Sequence, residues 1–271
     1  MNLQMPIRLI ATDMDGTLLG TDHQLGEANV QAARYFMEQG GRFSVATGRV
    51  KRAMEFFMPR LQLNAPAVLF NGSVVYDFQQ NAPVSVQVVE HEAAMAFARD
   101  IMAHFPDVGV EVFLAEDEYV AQINERTRKH FAFIRLEIKE RALEDIPQPW
   151  VKFNLTGEPP RMKEVEAYCR RHYTGQYFME FSAPYFFEVM GGGANKGTGA
   201  RIACAHCGIA PEHLYTMGDN FNDKELLAAA HMSFAPENAV PEIRQAADRI
   251  LPDCDHGALA AAVEILEGIY R

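Results

Sequence analysis

Two aspartates whose spacing suits phosphate chemistry close a short apolar run near the start of the chain. Asp13 and Asp15 are one residue apart and follow the run from Ile7 to Thr12. Side chains at positions i and i+2 of an extended chain point the same way, so the two carboxylates are expected to converge. Carboxylates this close repel unless one is protonated or a cation lies between them, and Mg²⁺ is the usual cation where phosphate is handled. The alternative is a polar turn that ends a strand, which Gly16 would also serve.

A second motif, Thr47-Gly48-Arg49, lies where a predicted strand gives way to a predicted helix. A hydroxyl, a glycine and the free amide groups of a helix N-terminus together form an anion site. An ordinary threonine N-cap explains the same residues, so the motif has two interpretations when it is taken alone.

A third motif is the glycine-rich segment Gly191-Gly192-Gly193-Ala194-Asn195-Lys196-Gly197, which precedes a predicted helix. Such a loop can approach a phosphate closely, and Lys196 would add a positive charge. The segment is not a Walker A loop, because the pattern G-x-x-x-x-G-K-[ST] is absent. The alternative is a flexible loop that carries a solvated lysine.

The fourth motif, Gly218-Asp219-Asn220-Phe221-Asn222-Asp223, again ends a predicted strand in acidic residues. Asp219 and Asp223 would be further metal ligands if this strand end shares a crevice with Asp13. The alternative is an Asx-rich turn that caps the following helix.

The elements that must position these motifs alternate between strand and helix in the first and last thirds of the chain. Strands are predicted over 7–12, 42–47, 67–70 and 214–217. Helices are predicted over 26–39, 196–207, 222–230 and 239–247, with a further amphipathic helix marked by Met54, Phe57, Met58 and Leu61. This order predicts an α/β fold with a doubly wound, parallel-sheet (Rossmann-like) core and helices on both faces. Ligands of such sheets bind at the carboxyl ends of the strands, where the motifs fall.

The middle third of the chain has a different character. From about residue 81 the pattern becomes strand, helix, strand with irregular charged stretches, bounded by Asn81-Ala82-Pro83 and Ser182-Ala183-Pro184. Proline-containing turns of this kind are typical of domain boundaries as well as of loops. We therefore predict an inserted α/β cap domain over 81–184 and a core domain built from 1–80 and 185–271.

Together, the order, spacing and strand-end placement of the four motifs resemble the haloacid dehalogenase (HAD) superfamily of aspartate-based phosphotransferases. The pattern is most similar to the Cof-type, sugar-phosphatase-like hydrolases, which insert a large α/β cap between the second and third motifs. The similarity includes Asn71-Gly72 after the third strand and Asp255-His256-Gly257 near the end. Dehalogenases of the superfamily lack the second acid of the pair, so Asp15 indicates phosphate esters.

The resemblance also implies a role for each motif. Asp13 is the expected nucleophile, which forms an aspartyl-phosphate, and Asp15 is the expected general acid and base, whose backbone carbonyl also meets the metal. The expected catalytic residues are Asp13, Asp15, Thr47 and Lys196. The expected ligands of Mg²⁺ are Asp13, Asp15, Asp219 and Asp223. The expected phosphate- and substrate-binding residues are Thr47, Gly48, Asn71, Lys196 and Asn222.

Composition limits the class of protein further. The chain has 271 residues, 48% of them hydrophobic, and a formal net charge of −11. A net acidic globular chain has no general electrostatic attraction to nucleic acid or to an anionic membrane. No segment is long and apolar enough to span a bilayer, and the N-terminus does not have the pattern of a secretory signal. We therefore expect a cytoplasmic protein that has neither nucleic acid nor membrane as a partner.

The sequence thus predicts a Mg²⁺-dependent phosphatase of small phosphorylated metabolites. One alternative is a phosphomutase of the phosphomannomutase type, which has a similar core and cap. A second alternative is a non-catalytic sensor of phosphorylated metabolites, which would be expected to carry damaged motifs. Neither the substrate nor the oligomeric state can be derived from the sequence, because specificity would depend on side chains of the cap.

Overall fold

The computed structural model describes residues 7–270. Residues 1–6 and 271 lie outside the described residues. They belong to the predicted core, and residues 1–6 also belong to the segment that was predicted not to be a signal sequence. The strands are β1 (Leu9–Thr12), β2 (Arg42–Val45), β3 (Ala67–Leu69), β4 (Val74–Asp77), β5 (Ala82–Val86), β6 (Gly109–Phe113), β7 (Glu118–Gln122), β8 (Lys152–Thr156), β9 (Tyr177–Ala183), β10 (Phe186–Gly191), β11 (Leu214–Met217), β12 (Met232–Pro236) and β13 (Arg249–Leu251). The α-helices are α1 (Glu27–Glu38), α2 (Lys51–Glu55), α3 (Met58–Leu61), α4 (His91–His104), α5 (Glu125–Ile134), α6 (Pro159–Tyr173), α7 (Lys196–His206), α8 (Lys224–Ala229), α9 (Pro241–Ala246) and α10 (Ala258–Tyr270).

Contacts divide the chain into two compact units. In the described residues, the first unit comprises 7–49, 54–85 and 195–270, and the second comprises Val50–Ala53 and Val86–Ala194. The predicted boundaries lie at 80/81 and 184/185, whereas this division places them at 85/86 and 194/195. Residues 184 and 185 form the turn between β9 and β10, which pair with each other in an antiparallel ladder. A hairpin turn and a domain boundary use the same turn residues, so Pro184 did not distinguish them.

The first unit is built on a parallel sheet in the order β13-β12-β11-β1-β2. The chain passes from β1 to β2 on one side and reaches β11 on the other, so the strand order reverses at β1. Helices α1 and α10 pack together, as do α7 and α8. The predicted doubly wound α/β core is therefore confirmed.

The amphipathic segment after β2 forms two short helices, α2 and α3, where one was predicted. Pro59 lies in the first turn of α3. Proline has no N–H to donate, and its ring collides with the carbonyl four residues earlier, so a continuous helix cannot pass through it. The apolar pattern still marked the buried face, since Met54, Phe57 and Leu61 are all buried.

The second unit contains a five-stranded antiparallel sheet in the order β7-β6-β8-β10-β9. One face of this sheet packs on helices α4 and α6, where Phe97 and Val165 meet Phe153 and Val189 in a common core. Because side chains alternate between the faces of a strand, the neighbouring residues of β6, β8 and β10 point to the opposite face. In the described residues, no helix of either unit is long and apolar enough to cross a membrane.

Candidate active site

The site in the first unit begins where β1, β2 and β11 end together. Asp13 follows β1, and its backbone N–H donates to the carbonyl of Met217, the last residue of β11, at 2.9 Å. On the other side, the N–H of Ala46 donates to the carbonyl of Thr12 at 2.8 Å. Asp13 therefore stands between the segment that leads to Thr47 and the segment that leads to Asp219, at the place where the strand order reverses.

Lys196 is the buried cation of the site. It is the first residue of α7, which Asn195 caps through the N–H of Thr198. Its Nζ donates to Asp13 Oδ1 at 2.6 Å and to Asp223 Oδ1 at 2.6 Å. Burial lowers the pKa of a lysine, but the two carboxylates outweigh that effect and raise the pKa of Lys196 above its ordinary value. Lys196 therefore stays protonated between the first and fourth motifs.

A third carboxylate, Asp219, lies beside the two that pair with Lys196. Oxygens of Asp13, Asp219 and Asp223 lie within 4.8 Å of one another. Burial raises the pKa of Asp13, and the charges of Asp223 and Asp219 raise it further against the opposing effect of Lys196. Burial and the charge of Asp223 likewise raise the pKa of Asp219 to about 6. Negative charge therefore exceeds positive charge here, as expected of a site that holds a divalent cation through oxygen ligands.

Asp219 and Asp223, the two acids of this group that come from the fourth motif, have different surroundings. Asp223 is fully engaged by protein donors: its Oδ1 accepts from Lys196, and its Oδ2 accepts from the N–H groups of Asp219 and Asn220, each at 3.0 Å. Asp219 Oδ1 accepts from the hydroxyl of Thr17 at 2.8 Å. Asp223 thus shapes the loop, and Asp219 is the acid that the loop presents.

Gly16 is required for the approach of Asp219 to the first motif. Its φ of +86° lies in the left-handed region, and a Cβ on Gly16 would come 2.6 Å from Asp219 Oδ2. A side chain at this position would therefore be strained and would displace the carboxylate.

Asp15 is held by Arg49. The guanidinium donates from Nε to Asp15 Oδ2 at 2.7 Å and from Nη2 to Asp15 Oδ1 at 2.6 Å, and His23 Nδ1 lies 3.4 Å from Oδ1. Burial raises the pKa of Asp15, but the hydrogen bonds and charge of Arg49, aided by His23, bring that pKa below its ordinary value. Asp15 is therefore ionised in this arrangement.

The remaining predicted residues form a group around Thr47. The Thr47 carbonyl accepts from the N–H of Asn71 at 3.0 Å, and Asn222 Nδ2 donates to Asn71 Oδ1 at 3.2 Å. A Cβ on Gly48 would lie 3.0 Å from the same Asn71 oxygen. The Thr47 hydroxyl accepts from the N–H of Arg49 at 3.1 Å, which connects this group to Asp15. The second and fourth motifs thus meet at Asn71.

Residues 10–263 match the family model described as haloacid dehalogenase-like hydrolase. The chain belongs to this family. The match spans both units, and the resemblance drawn from the four motifs is therefore confirmed.

Curated relatives of this hydrolase carry phosphatase names. An "HMP-PP phosphatase" of Serratia proteamaculans is 27% identical over 260 residues, which cover 93% of each chain. A second "HMP-PP phosphatase", of Klebsiella pneumoniae, is 26% identical over 263 residues, again 93% of each chain. The prediction of an enzyme, a phosphatase of the haloacid dehalogenase type, is confirmed.

Solved structures share the fold. A haloacid dehalogenase-like hydrolase from Bacteroides thetaiotaomicron aligns with a TM-score of 0.87 at 22% identity, covering 96% of this chain and 99% of its own. The HAD subclass IIB sugar phosphatase BT4131 aligns with a TM-score of 0.83 at 20% identity, covering 96% of this chain and 99% of its own. Both support a HAD-type fold for this hydrolase.

Sequence reasoning gave no role to three residues that contact the predicted site of this hydrolase. Arg49 lies inside the second motif and Thr17 directly follows Gly16, yet their partners Asp15 and Asp219 come from other parts of the chain. His23 lies in the loop after β1 and has no motif of its own. An arginine next to a predicted anion site is a signal that could have identified Arg49.

Proposed function

We propose that this hydrolase is a Mg²⁺-dependent phosphatase that cleaves small phosphorylated metabolites through an aspartyl-phosphate on Asp13. The observation that carries the proposal is the buried Lys196. Its ammonium donates hydrogen bonds of 2.6 Å to both Asp13 and Asp223 at the carboxyl ends of the strands. A carboxylate held this way has a fixed orientation, and the adjacent positive charge can be shared with an incoming phosphoryl group.

The reaction would then proceed in two displacements. A carboxylate oxygen of Asp13 attacks phosphorus, the P–O bond to the alcohol breaks, and the departing oxygen takes a proton from Asp15. Water next attacks the phosphorus of the aspartyl-phosphate and gives a proton to Asp15, which releases inorganic phosphate and regenerates Asp13. Asp15 holds this proton until inorganic phosphate leaves and Arg49 pairs with its carboxylate again.

Arg49 would control when Asp15 holds that proton. Its guanidinium forms a planar two-pronged contact with Asp15 here, and phosphoryl oxygens fit the same geometry. When Arg49 turns part of this contact to a phosphoryl group, the pKa of Asp15 rises, because the donors that lower it are drawn away. Substrate arrival would thereby let Asp15 take up a proton from solvent and serve as the acid.

The residues present fit Mg²⁺. Asp13 and Asp219 would hold the ion, together with the backbone carbonyl of Asp15 that the family resemblance implies, while Asp223 positions Lys196 and the Asp219 loop. The excess of carboxylates over ammonium groups and the raised pKa values of Asp13 and Asp219 support this assignment. When bound, the ion supplies positive charge that stabilises the transferring phosphoryl oxygens.

The substrate class follows from the relatives and from the site. One group of relatives is named for HMP-PP and a structural neighbour is named a sugar phosphatase, so small phosphorylated metabolites are the common denominator. Thr47, Gly48, Asn71 and Asn222 would lie beside the phosphoryl group. A cytoplasmic location and the lack of nucleic acid or membrane partners stay predictions.

Two of the basic residues that could hold a second phosphate in a phosphomutase pair with carboxylates of the second unit. Arg126 donates to both oxygens of Glu158 at 2.8 and 3.0 Å, and Lys139 pairs with Asp117. These pairs support hydrolysis over the mutase alternative, because a bisphosphorylated intermediate calls for basic groups that are available to a second phosphate.

Asp13→Asn tests the nucleophile. The variant keeps the shape of the side chain and removes the attacking carboxylate, so phosphate release from a panel of phosphomonoesters should fall by at least about 10³-fold. Asp145→Asn makes the same change at an exposed acid and should leave turnover unaltered. Near-native turnover by Asp13→Asn on any ester would overturn the proposal, and faster isomerisation than phosphate release by the wild type would favour the mutase.

A further inference from the structure

Asn238 lies in the turn that follows β12, in the first unit and outside the four motifs. The residue is exposed to solvent, yet both ends of its carboxamide bind the main chain. Its Nδ2 donates to the carbonyl of Gly16 at 2.8 Å, and its Oδ1 accepts from the N–H of Cys254 at 2.9 Å. An amide that donates at one end and accepts at the other is held in one orientation. Asn238 therefore joins the first motif to the segment that precedes α10.

The turn that contains Asn238 also holds the main chain of Asp219. The N–H of Val240 donates to the carbonyl of Asp219 at 2.9 Å. The carboxylate of Asp219 is held by a different segment, because its Oδ1 accepts from the hydroxyl of Thr17 at 2.8 Å. The backbone and the side chain of Asp219 are thus fixed by two segments, and Asn238 connects those two segments to each other.

Thr17 is the residue through which Asn238 reaches the carboxylate of Asp219. The carbonyl of Gly16 and the N–H of Thr17 belong to one planar peptide group. The hydrogen bond from Asn238 to that carbonyl restrains the rotation of the plane, and it thereby fixes the direction in which the buried Thr17 side chain points. Such a restraint matters beside Gly16, because a glycine does not limit its own backbone rotation.

The segment that supports Asn238 is itself tied to the loop of the first motif. Asp255, the residue after Cys254, accepts from the N–H of Thr21 at 2.8 Å and from the Thr21 hydroxyl at 2.9 Å. Loop 16–21 is therefore attached to the same short segment at both of its ends, through Asn238 at Gly16 and through Asp255 at Thr21. The anchor of Asn238 thus moves with the loop that it restrains.

We propose that Asn238 is a positioning residue that sets the affinity of the site for Mg²⁺, because it orients the carboxylate of Asp219 through Thr17. The inference rests on the proposed function, since the role of Asp219 as a ligand of Mg²⁺ is part of that function. Asn238 binds neither the ion nor the phosphoryl group in this scheme. It acts only on the direction from which one carboxylate meets the ion.

The effect on affinity is expected to be large because Mg²⁺ is strict about geometry. The ion prefers a near-ideal octahedron of oxygen ligands at about 2.0–2.1 Å, so a carboxylate that turns away from its place binds the ion less tightly. Side chains that orient metal ligands without touching the metal typically contribute about 10- to 100-fold to metal affinity. We therefore expect the loss of the Asn238 carboxamide to weaken Mg²⁺ binding by at least the lower of these factors.

Asn238→Ala removes both hydrogen bonds of the carboxamide and tests the proposal. Titration calorimetry of the metal-free proteins with Mg²⁺ alone gives the dissociation constant without turnover, and this constant should rise roughly tenfold or more. Asn81→Ala is the matched control. Asn81 accepts from the hydroxyl of Tyr76 at 2.9 Å in the turn between β4 and β5, so this variant also loses a hydrogen bond of the first unit. It should keep the wild-type dissociation constant even if its melting temperature falls.

Thr17→Val tests the route, because it removes the hydroxyl that binds Asp219 and keeps the shape of the side chain. Alone, it should weaken Mg²⁺ binding roughly tenfold. If Asn238 acts through Thr17, adding Asn238→Ala to Thr17→Val should change the dissociation constant by less than about twofold, whereas independent effects would multiply to roughly a hundredfold. Circular dichroism establishes which variants fold. If Thr17→Val does not fold, the comparison of Asn238→Ala with Asn81→Ala decides alone.

Two results would overturn the proposal. One is a folded Asn238→Ala protein that binds Mg²⁺ as tightly as the wild type does. The other is a multiplied loss in the double variant, which would mean that Asn238 does not act through Thr17. A wild-type protein that binds Mg²⁺ and releases no phosphate from any phosphomonoester of the panel would instead overturn the proposed function, so the two failures are distinguished.

Discussion

Replacing Lys196 by methionine removes the only cation that contacts both Asp13 and Asp223 among the described residues. Lys196 is 1% exposed and makes two hydrogen bonds of 2.6 Å. Methionine has similar length and no charge, so the variant leaves two buried carboxylates without their ammonium. Removal of one partner from a buried ion pair typically costs about 3–5 kcal/mol, because the remaining charge is left uncompensated.

That loss is large enough to measure as a melting temperature. A chain of this size loses about 2–4 °C per kcal/mol, so Lys196→Met should melt roughly 6–20 °C below the wild type at neutral pH. Turnover should fall by about 10²–10³-fold as well, because a fixed positive charge beside the nucleophile is lost.

The deficit should depend on pH with a definite sign. The pKa of Asp13 is already raised by burial, and an acid whose folded pKa exceeds its unfolded value loses stability as the pH rises through the folded pKa. Without Lys196, whose charge lowers it, the pKa of Asp13 rises further. In acid, protonation of the buried carboxylates removes their uncompensated charge. The difference in melting temperature between the wild type and the variant should therefore grow between about pH 5 and pH 8.

The assay is differential scanning fluorimetry of both proteins across this pH range, with and without Mg²⁺. Mg²⁺ should restore part of the variant's melting temperature, because it supplies positive charge to the same carboxylates. Lys224→Met removes an exposed lysine and is the control. A Lys196→Met protein that melts with the wild type, or whose deficit is the same at both ends of the pH range, would refute the electrostatic reasoning.

Three further outcomes are expected. A chelator should abolish phosphate release, and added Mg²⁺ should restore it. The melting temperature of the metal-free enzyme should fall as the pH rises through about 6, which is the raised pKa of Asp219. Added Mg²⁺ should make the melting temperature less dependent on pH. Gly16→Ala places a Cβ 2.6 Å from Asp219 Oδ2 and should lower kcat and Mg²⁺ affinity in a coupled assay, whereas Gly26→Ala, which has open space, should not. Arg49→Lys loses the two-pronged contact, so the pKa of Asp15 rises. The alkaline limb of the kcat/KM profile, which reflects the need for a protonated Asp15, should then move to higher pH; an unchanged limb would count against that role.

The core and its motifs could be predicted from the sequence because their signals are local. Asp13 ends an apolar run, Lys196 opens a helix after glycines, and Asp219 follows another apolar run. Each signal needs only a few adjacent residues. Because the carboxyl ends of parallel strands lie at the same end of the sheet, the three motifs are expected to lie close together. The contact between Lys196 and Asp13 then follows from topology.

Features that depend on distant pairing could not be predicted in this way. The hydrogen bond from Arg49 to Asp15 joins two strand ends, and the sequence places both at the same edge without fixing which anion the guanidinium meets. The boundary near Pro184 was misplaced because a hairpin turn has the same residues as a linker. Whether 177–183 and 186–191 belong to one sheet is decided by their ladder, and no residue in the turn carries that information.

The contact between Glu111 and Asn154 in the second unit shows the same limit most clearly. Glu111 and Asn154 each stand between two apolar residues in short strands that are 43 positions apart. Either residue alone resembles an ordinary polar interruption of a strand, and only the antiparallel register makes them neighbours. Residues that perform a reaction common to a family follow strand ends and form local motifs. Polar residues inside a sheet are instead brought together by cross-strand register, so they can change singly without disturbing any motif.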